Sequence, residues 1–113
     1  MPAKDLIAAS TRPLLLSLLA QGGESYGYAL IQRVKELSGG SLQWSEGMLY
    51  PVLHRLQDEG LIEAEWRDSE TGRKRKYYRL SKAGRRSEKA ERTDWLAVHN
   101  TLSRLWNLAP TPG

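Results

Sequence analysis

Four consecutive cations, Arg73-Lys74-Arg75-Lys76, follow a turn-forming run, Asp68-Ser69-Glu70-Thr71-Gly72. Such a cluster beside a hairpin can neutralise phosphates or enter a narrow groove of a polyanion. Upstream, Ser45, Gly47, Met48, Tyr50, Pro51, His54 and Arg55 form a second candidate set. At 100° per residue, Gly47, Tyr50, Pro51, His54 and Asp58 fall away from Leu49, Val52, Leu53 and Leu56. The apolar face anchors the helix, and the other face is free to meet a ligand. A helix so divided, with a cationic loop beside it, suits insertion into the major groove of duplex DNA. Gly47 permits a close backbone approach, Tyr50 can reach a phosphate through its hydroxyl, and His54 can donate to phosphate or base. Plainer roles stay open. Tyr50 can be a half-buried packing residue, His54 an inert surface histidine, and the basic run a charged edge strand that resists aggregation.

Other chemistries lack their parts. There is no cysteine, so disulfides and thiolate metal sites are excluded and an intracellular, cytoplasmic location is expected. His54 has no second histidine nearby, since His99 lies on the last helix, so no metal site is expected. No serine–histidine–acid grouping and no glycine-rich phosphate loop occurs, so neither an enzyme nor a cofactor is expected. Glu63 and Glu65 share one face of a strand and read as solvent-facing ladder charges.

The chain has 113 residues, 40% of them hydrophobic, enough for one modest core. Its net charge of +4 matters less than its placement, because basic residues dominate between Arg67 and Arg92. The longest apolar run, Leu14-Leu15-Leu16, is broken by Ser17, far short of the ~20 residues that span a bilayer. No signal peptide is expected.

These groups need elements to position them. Thr11 can cap a first helix, with Pro13 in its first turn, running from Leu14 to Ala20 and stopping at Gly22-Gly23. Ser25 can cap a second, from Tyr26 to about Leu37, with Leu30, Ile31 and Val34 at helical spacing. Leu42-Gln43-Trp44 alternates like a short strand. Ser45 caps the third helix, Glu46 favours its N-terminal dipole, Pro51 predicts a bend, and Gly60 ends it. Strands from Ile62 to Trp66 and from Arg75 to Leu80 flank the charged turn, with Tyr77 and Tyr78 on opposite faces. Ser81 caps a last helix, Lys82 to about Leu108, weakened in its first turn by Gly84. Residues 109–113 read as a disordered tail.

That order, helix, helix, helix, two-stranded wing, long helix, is a winged helix-turn-helix, a mainly α fold with a small β-wing. Its wording resembles the PadR family of bacterial transcriptional regulators, in the branch with a single C-terminal helix. The matching words are Tyr26-Gly27-Tyr28, Ser38-Gly39-Gly40, Gly47-Met48-Leu49-Tyr50-Pro51-Val52-Leu53-His54-Arg55-Leu56, Glu59-Gly60-Leu61-Ile62, Lys76-Tyr77-Tyr78-Arg79-Leu80-Ser81 and Ala83-Gly84. Two departures stand out: Met48 occupies a position where the family most often has threonine, and Gly22-Gly23-Glu24 is slightly long. The resemblance implies residues 1–80 as a DNA-binding domain and 81–108 as a dimerisation helix. It implies base-facing residues near the start of the third helix and phosphate contacts from the wing. One of Tyr26 and Tyr28 is expected to pack and the other to lie near the DNA backbone.

Trp95, Val98, Leu102, Leu105 and Trp106 form an apolar stripe that one small chain cannot bury, so a second copy is expected. The resemblance implies that the partner contributes its first helix, here Leu14, Leu15, Leu18 and Leu19. In some relatives a tryptophan on the last helix stacks flat aromatic molecules. Trp95 is the candidate, with packing in a dimer core as its other role. The expected function is a homodimeric, sequence-specific repressor of transcription that binds palindromic double-stranded DNA and is released by a small planar ligand. The alternative is a winged-helix interaction module whose basic wing meets an acidic protein.

Overall fold

The computed structural model describes residues 2–108. Its elements run α1 (Lys4–Gly22), β1 (Ser25–Tyr26), α2 (Gly27–Leu37), α3 (Glu46–Asp58), β2 (Ile62–Asp68), β3 (Lys74–Leu80) and α4 (Lys82–Leu105). The winged helix expected from the sequence is present. The core gathers Leu15, Leu16 and Leu19 of α1, Leu30 and Val34 of α2, and the whole expected apolar face of α3, Leu49, Val52, Leu53 and Leu56. Ile62, Tyr78 and Leu80 close it from the sheet.

Several local expectations give way to tertiary packing. The first helix begins at Lys4, not after Thr11. Ile7, Thr11 and Leu15, spaced by four, form one continuous buried face. Thr11 does not cap. Its hydroxyl donates back to the Ile7 carbonyl at 2.7 Å. Pro13 therefore sits inside α1 rather than in its first turn. Ser25 does not cap α2 either. Ser25 and Tyr26 pair with Tyr78 and Tyr77 of β3, so the helix starts at Gly27, with Tyr26 at its N-cap and no side-chain cap bond.

The sheet is thus three-stranded, in the order β1-β3-β2, where the sequence pattern had shown only a hairpin. Two residues carry no detectable period, so β1 is visible only through its partner. Leu42–Trp44 is irregular, and Trp44 is buried against the core instead of pairing. α3 continues through Pro51, and α4 ends at Leu105 with Trp106 as its cap. Residues 109–113, read as a disordered tail, lie outside the described residues.

Gly84 reverses the reading given to it. It is buried where α4 crosses the end of β3, and a Cβ there would lie 2.9 Å from the carbonyl carbon of Leu61 and 3.1 Å from Leu80 Cδ2. The glycine admits close contact between helix and chain. Ser81 completes the joint: its N–H donates to Leu61 O at 3.0 Å and its hydroxyl to Gly60 O at 2.6 Å. The same hydroxyl accepts from the Gly84 N–H at 3.0 Å.

Candidate nucleic-acid interface

Four buried side chains fix the roll of α3. Ser45 caps it by accepting from the Met48 N–H at 3.3 Å, and Glu46 occupies the first turn, where a negative charge is favoured. With Leu49, Val52, Leu53 and Leu56 buried, Gly47, Pro51, His54 and Arg55 are left exposed and Tyr50 half-buried. Met48 is only partly exposed and packs against the core, because it stands one turn before Val52 on the same face. Tyr50 lies across the start of α2. A Cβ at Gly27 would be 2.5 Å from the Tyr50 hydroxyl and 3.0 Å from its ring carbon. Gly27 therefore lets the Tyr50 ring settle over the first turn of α2.

The two faces of the wing differ in chemistry, and the strand register explains how. Glu63 pairs with Arg79, Glu65 with Tyr77 and Arg67 with Arg75, so these residues share the outer face. There the charges cancel. Arg67 forms a short bidentate pair with Glu24 and a 2.8 Å bond to Glu65, while Arg79 reaches Glu63 at 3.2 Å. The bonds from Arg67 hold the Glu24 and Glu65 carboxyls below the usual carboxylate range, and the same bonds raise the Arg67 guanidinium. Arg75 lies over the Tyr26 ring, 4.4 Å from its centre, and Tyr26 meets Tyr77 edge-on at 5.5 Å. Tyr26 is therefore the packing tyrosine of the pair, and Tyr28 is 64% exposed.

The inner face carries Ile62, Ala64, Trp66 and Asp68 opposite Leu80, Tyr78, Lys76 and Lys74. Its inner end belongs to the core. Burial holds the Tyr78 hydroxyl un-ionised above the usual range, helped by the nearby Tyr50. Its outer end is open. The Lys76 ammonium sits 5.6 Å from the Tyr78 ring centre and 6.0 Å from that of Trp66. Among the described residues, the ion pairs of the wing engage Arg67 and Arg79, and no ion pair engages Arg73, Lys74, Arg75 or Lys76.

Between α3 and the wing runs a groove of about 530 Å³, bordered by Tyr26, Gly27, Tyr28, Tyr50, His54, Trp66, Lys74, Arg75, Lys76 and Tyr78. It brings together Tyr50 and His54 from one candidate set with Lys74, Arg75 and Lys76 from the other. Ser45, Gly47, Met48, Pro51, Arg55 and Arg73 are not part of its lining. Trp66 and Tyr78 were not singled out from the sequence. The alternation beginning at Ile62 held the signal, since it places Trp66 on the core side of the strand but beyond the core.

The expected pairing surfaces divide in a similar way. On α4, Val98 is 54% exposed, Leu105 72% and Trp106 63%, with Trp95 and Leu102 near 40% and 37%. On α1, Leu15, Leu18 and Leu19 are buried within the chain's own core, and Leu14 is half-buried. Helical spacing alone could not tell a core face from a partner face. Trp95 borders an apolar pocket of about 470 Å³ between α1 and α4, with Leu6, Ile7, Leu14 and Leu96. Glu88, buried in the same wall, is held by Arg92 and by the Ser17 hydroxyl at 3.4 Å. Arg12 of α1 joins three elements, donating to Glu59 at the end of α3 at 2.7 Å and to Glu91 of α4 at 3.0 Å. These bonds lower the Glu59 carboxyl and raise the Arg12 guanidinium. No helix among the described residues is long and apolar enough to cross a membrane.

Known proteins resemble this chain in fold or in sequence. A transcriptional regulator from Clostridium thermocellum superposes with a TM-score of 0.80 at 26% identity, over 92% of this chain and 97% of that one. A PadR family transcriptional regulator from Eggerthella lenta gives a TM-score of 0.76 at 27% identity, over 90% of this chain and 86% of that one. Transcriptional regulator Rv3488 of Mycobacterium tuberculosis is 44% identical over 66 residues, 58% of each chain. The family model described as the transcriptional regulator PadR-like family matches residues 15–90, from the first buried leucine of α1 into α4. With the winged helix in place and most of its length matched, this chain belongs to the PadR-like family of transcriptional regulators.

Proposed function

We propose that this regulator binds double-stranded DNA as a cytoplasmic homodimer and represses transcription from palindromic operators. Residues 1–80 form the DNA-binding part and 81–108 the pairing helix. One observation carries the reading: the groove between α3 and the wing joins His54 and Tyr50 to three cations that the described carboxylates leave uncompensated. On the outer face of the same wing Glu24, Glu63 and Glu65 pair with Arg67 and Arg79, whereas Lys74 and Lys76 of the inner face, with Arg75 at the groove's edge, carry their charge toward the groove. Phosphate contacts from Arg73, Lys74, Arg75 and Lys76 supply affinity without reading sequence. Ser45, Gly47, Tyr50, Pro51, His54 and Arg55 stand where a third helix meets base edges and the adjoining backbone. Met48 acts from behind, by packing.

The exposed apolar stripe of α4 supports pairing with a second copy. Two-fold symmetry then sets the recognition helices roughly 34–36 Å apart, one turn of duplex. Leu14 remains available to such a partner, whereas Leu15, Leu18 and Leu19 act through the core beneath it. A flat aromatic effector would enter the α1–α4 pocket against Trp95 and release the operator by shifting α4.

The deciding experiment is selection of bound sequences from a random duplex pool, followed by a salt-titrated shift assay. Recovery of a palindrome, with binding that falls steeply as salt rises, is expected. A protein that leaves every duplex unbound in dilute buffer would overturn the reading. For Trp95, Trp95→Ala should abolish the response to planar aromatics while the dimer persists. Loss of the dimer itself would assign Trp95 to packing.

A further inference from the structure

The inner face of the wing continues past the core that it covers. Ile62 opposite Leu80 and Ala64 opposite Tyr78 pack inward. One pair further out, the same face presents Trp66 opposite Lys76, and there Trp66 remains 63% exposed. An indole is among the largest apolar groups a chain can leave in water, and such groups gather where another molecule is met. Trp66 stands in the groove beside His54 and Tyr28, with the Lys76 ammonium 6.0 Å from its ring centre. The opposite side of the sheet, where Glu24, Glu63 and Glu65 bind Arg67 and Arg79, offers no such surface. The exposed aromatic is therefore on the side whose cations are uncompensated. A nucleic-acid strand alternates charged phosphates with apolar sugar faces, and a paired lysine and indole complement that alternation.

We propose that Trp66 is a DNA-contacting residue whose indole packs against the deoxyribose of the strand passing between wing and α3, while Lys76 meets the neighbouring phosphate. The inference rests on the DNA-binding reading above. Sugars carry no sequence and the indole carries no charge, so the contact has a distinctive signature. Trp66→Ala weakens binding to operator and random duplex by the same factor, about ten- to a hundredfold for a dimer with two such contacts. It leaves the slope of log affinity against log salt unchanged. Trp66→Phe, which keeps an aromatic face, recovers most of the loss.

The test uses the full-length protein, with far-UV circular dichroism to compare the variants. Binding is measured by salt-titrated fluorescence anisotropy on both duplexes. Hydroxyl-radical cleavage of the bound operator reads the sugars directly. Protection of deoxyribose beside the wing should be present with the unsubstituted protein and with Trp66→Phe, and lost with Trp66→Ala. Unchanged affinity in Trp66→Ala, or a flattened salt slope, would overturn the contact, the latter because Trp66 would then act only by holding Lys76. A loss confined to the operator would also overturn it, since the indole would be reading bases. If the unsubstituted protein bound no duplex, the DNA reading itself would fall and this contact with it. Duplex binding by the unsubstituted protein that is undiminished in Trp66→Ala overturns the contact alone.

Discussion

Replacing Gly84 by alanine sets two physical effects against each other. Helix propensity favours alanine over glycine in a helix interior by about 1 kcal/mol. The structure predicts the opposite sign. The new methyl would lie 2.9 Å from the Leu61 carbonyl carbon and closer still to its oxygen. A carbon normally stays about 3.3 Å or more from a carbonyl oxygen, so α4 would have to retreat by well over ~1 Å. That oxygen cannot yield easily, because it accepts from the Ser81 N–H at 3.0 Å. Retreat would strain that bond and open the packing of Leu80 beneath. Overpacking of this kind costs about 1–3 kcal/mol, a weakened joint adds about 1 kcal/mol, and the alanine preference offsets about 1 kcal/mol, so the net loss is about 1–3 kcal/mol. Urea unfolding at fixed protein concentration, followed by far-UV circular dichroism, gives the number directly. The concentration must be held constant because the proposed pairing would couple to stability. A Gly84→Ala protein as stable as the parent, or more so, would refute the close-contact argument and restore the view of Gly84 as a weak point.

Four further outcomes are expected. Arg75→Ala with Lys76→Ala should weaken binding to every duplex and reduce the magnitude of the salt slope by about 3–4 for a dimer, measured by shift assay across salt concentrations. Leu102→Ala, at the least exposed point of the α4 stripe, should lower dimer stability by about 2–4 kcal/mol, read as a shift in the dissociation midpoint by sedimentation. Glu24, Glu65 and Glu59 have carboxyls held below their ordinary value, so what they add to stability is complete above about pH 5 and disappears as pH falls through the lowered values. A thermal midpoint flat from about pH 5 down to about pH 2 would refute that linkage. Gly27→Ala should displace the Tyr50 ring and weaken operator binding more than it lowers the melting temperature. Combining it with Tyr50→Phe, which removes the atom at 2.5 Å, should restore part of the affinity if the clash is the cause.

The fold was largely legible because its strongest signals are periodic. Leu49, Val52, Leu53 and Leu56 repeat at helical spacing, and all four enter the core. Ser45 and Ser81 both cap as their positions suggest, since nothing else competes for them. Local rules failed where distant segments intervene. Ser25 has a good capping side chain, yet β3 recruits its backbone. Thr11 and Pro13 look like a helix start, yet Ile7 extends the buried face upstream. The candidate site was legible in its basic run and in His54, less so in its boundaries. Trp66 and Gly27 border the groove through what faces them across it, and no spacing along one strand or helix encodes that. Leu15, Leu18 and Leu19 show the same limit, because an apolar face is equally suited to its own core or to a partner.

The short pairing of Ser25 and Tyr26 with β3 has a mechanical consequence. It stitches the hairpin to the residues that launch α2, while Tyr50 rests on the first turn of that same helix. Hairpin and α3 are thereby set in one frame before any ligand arrives. Docking on the proposed duplex would then demand little ordering of the protein, and the entropic toll that slows pliable binders would be small. In the proposed dimer, a change felt at α4 would tilt that frame bodily, altering the span between the two copies rather than the shape of either frame.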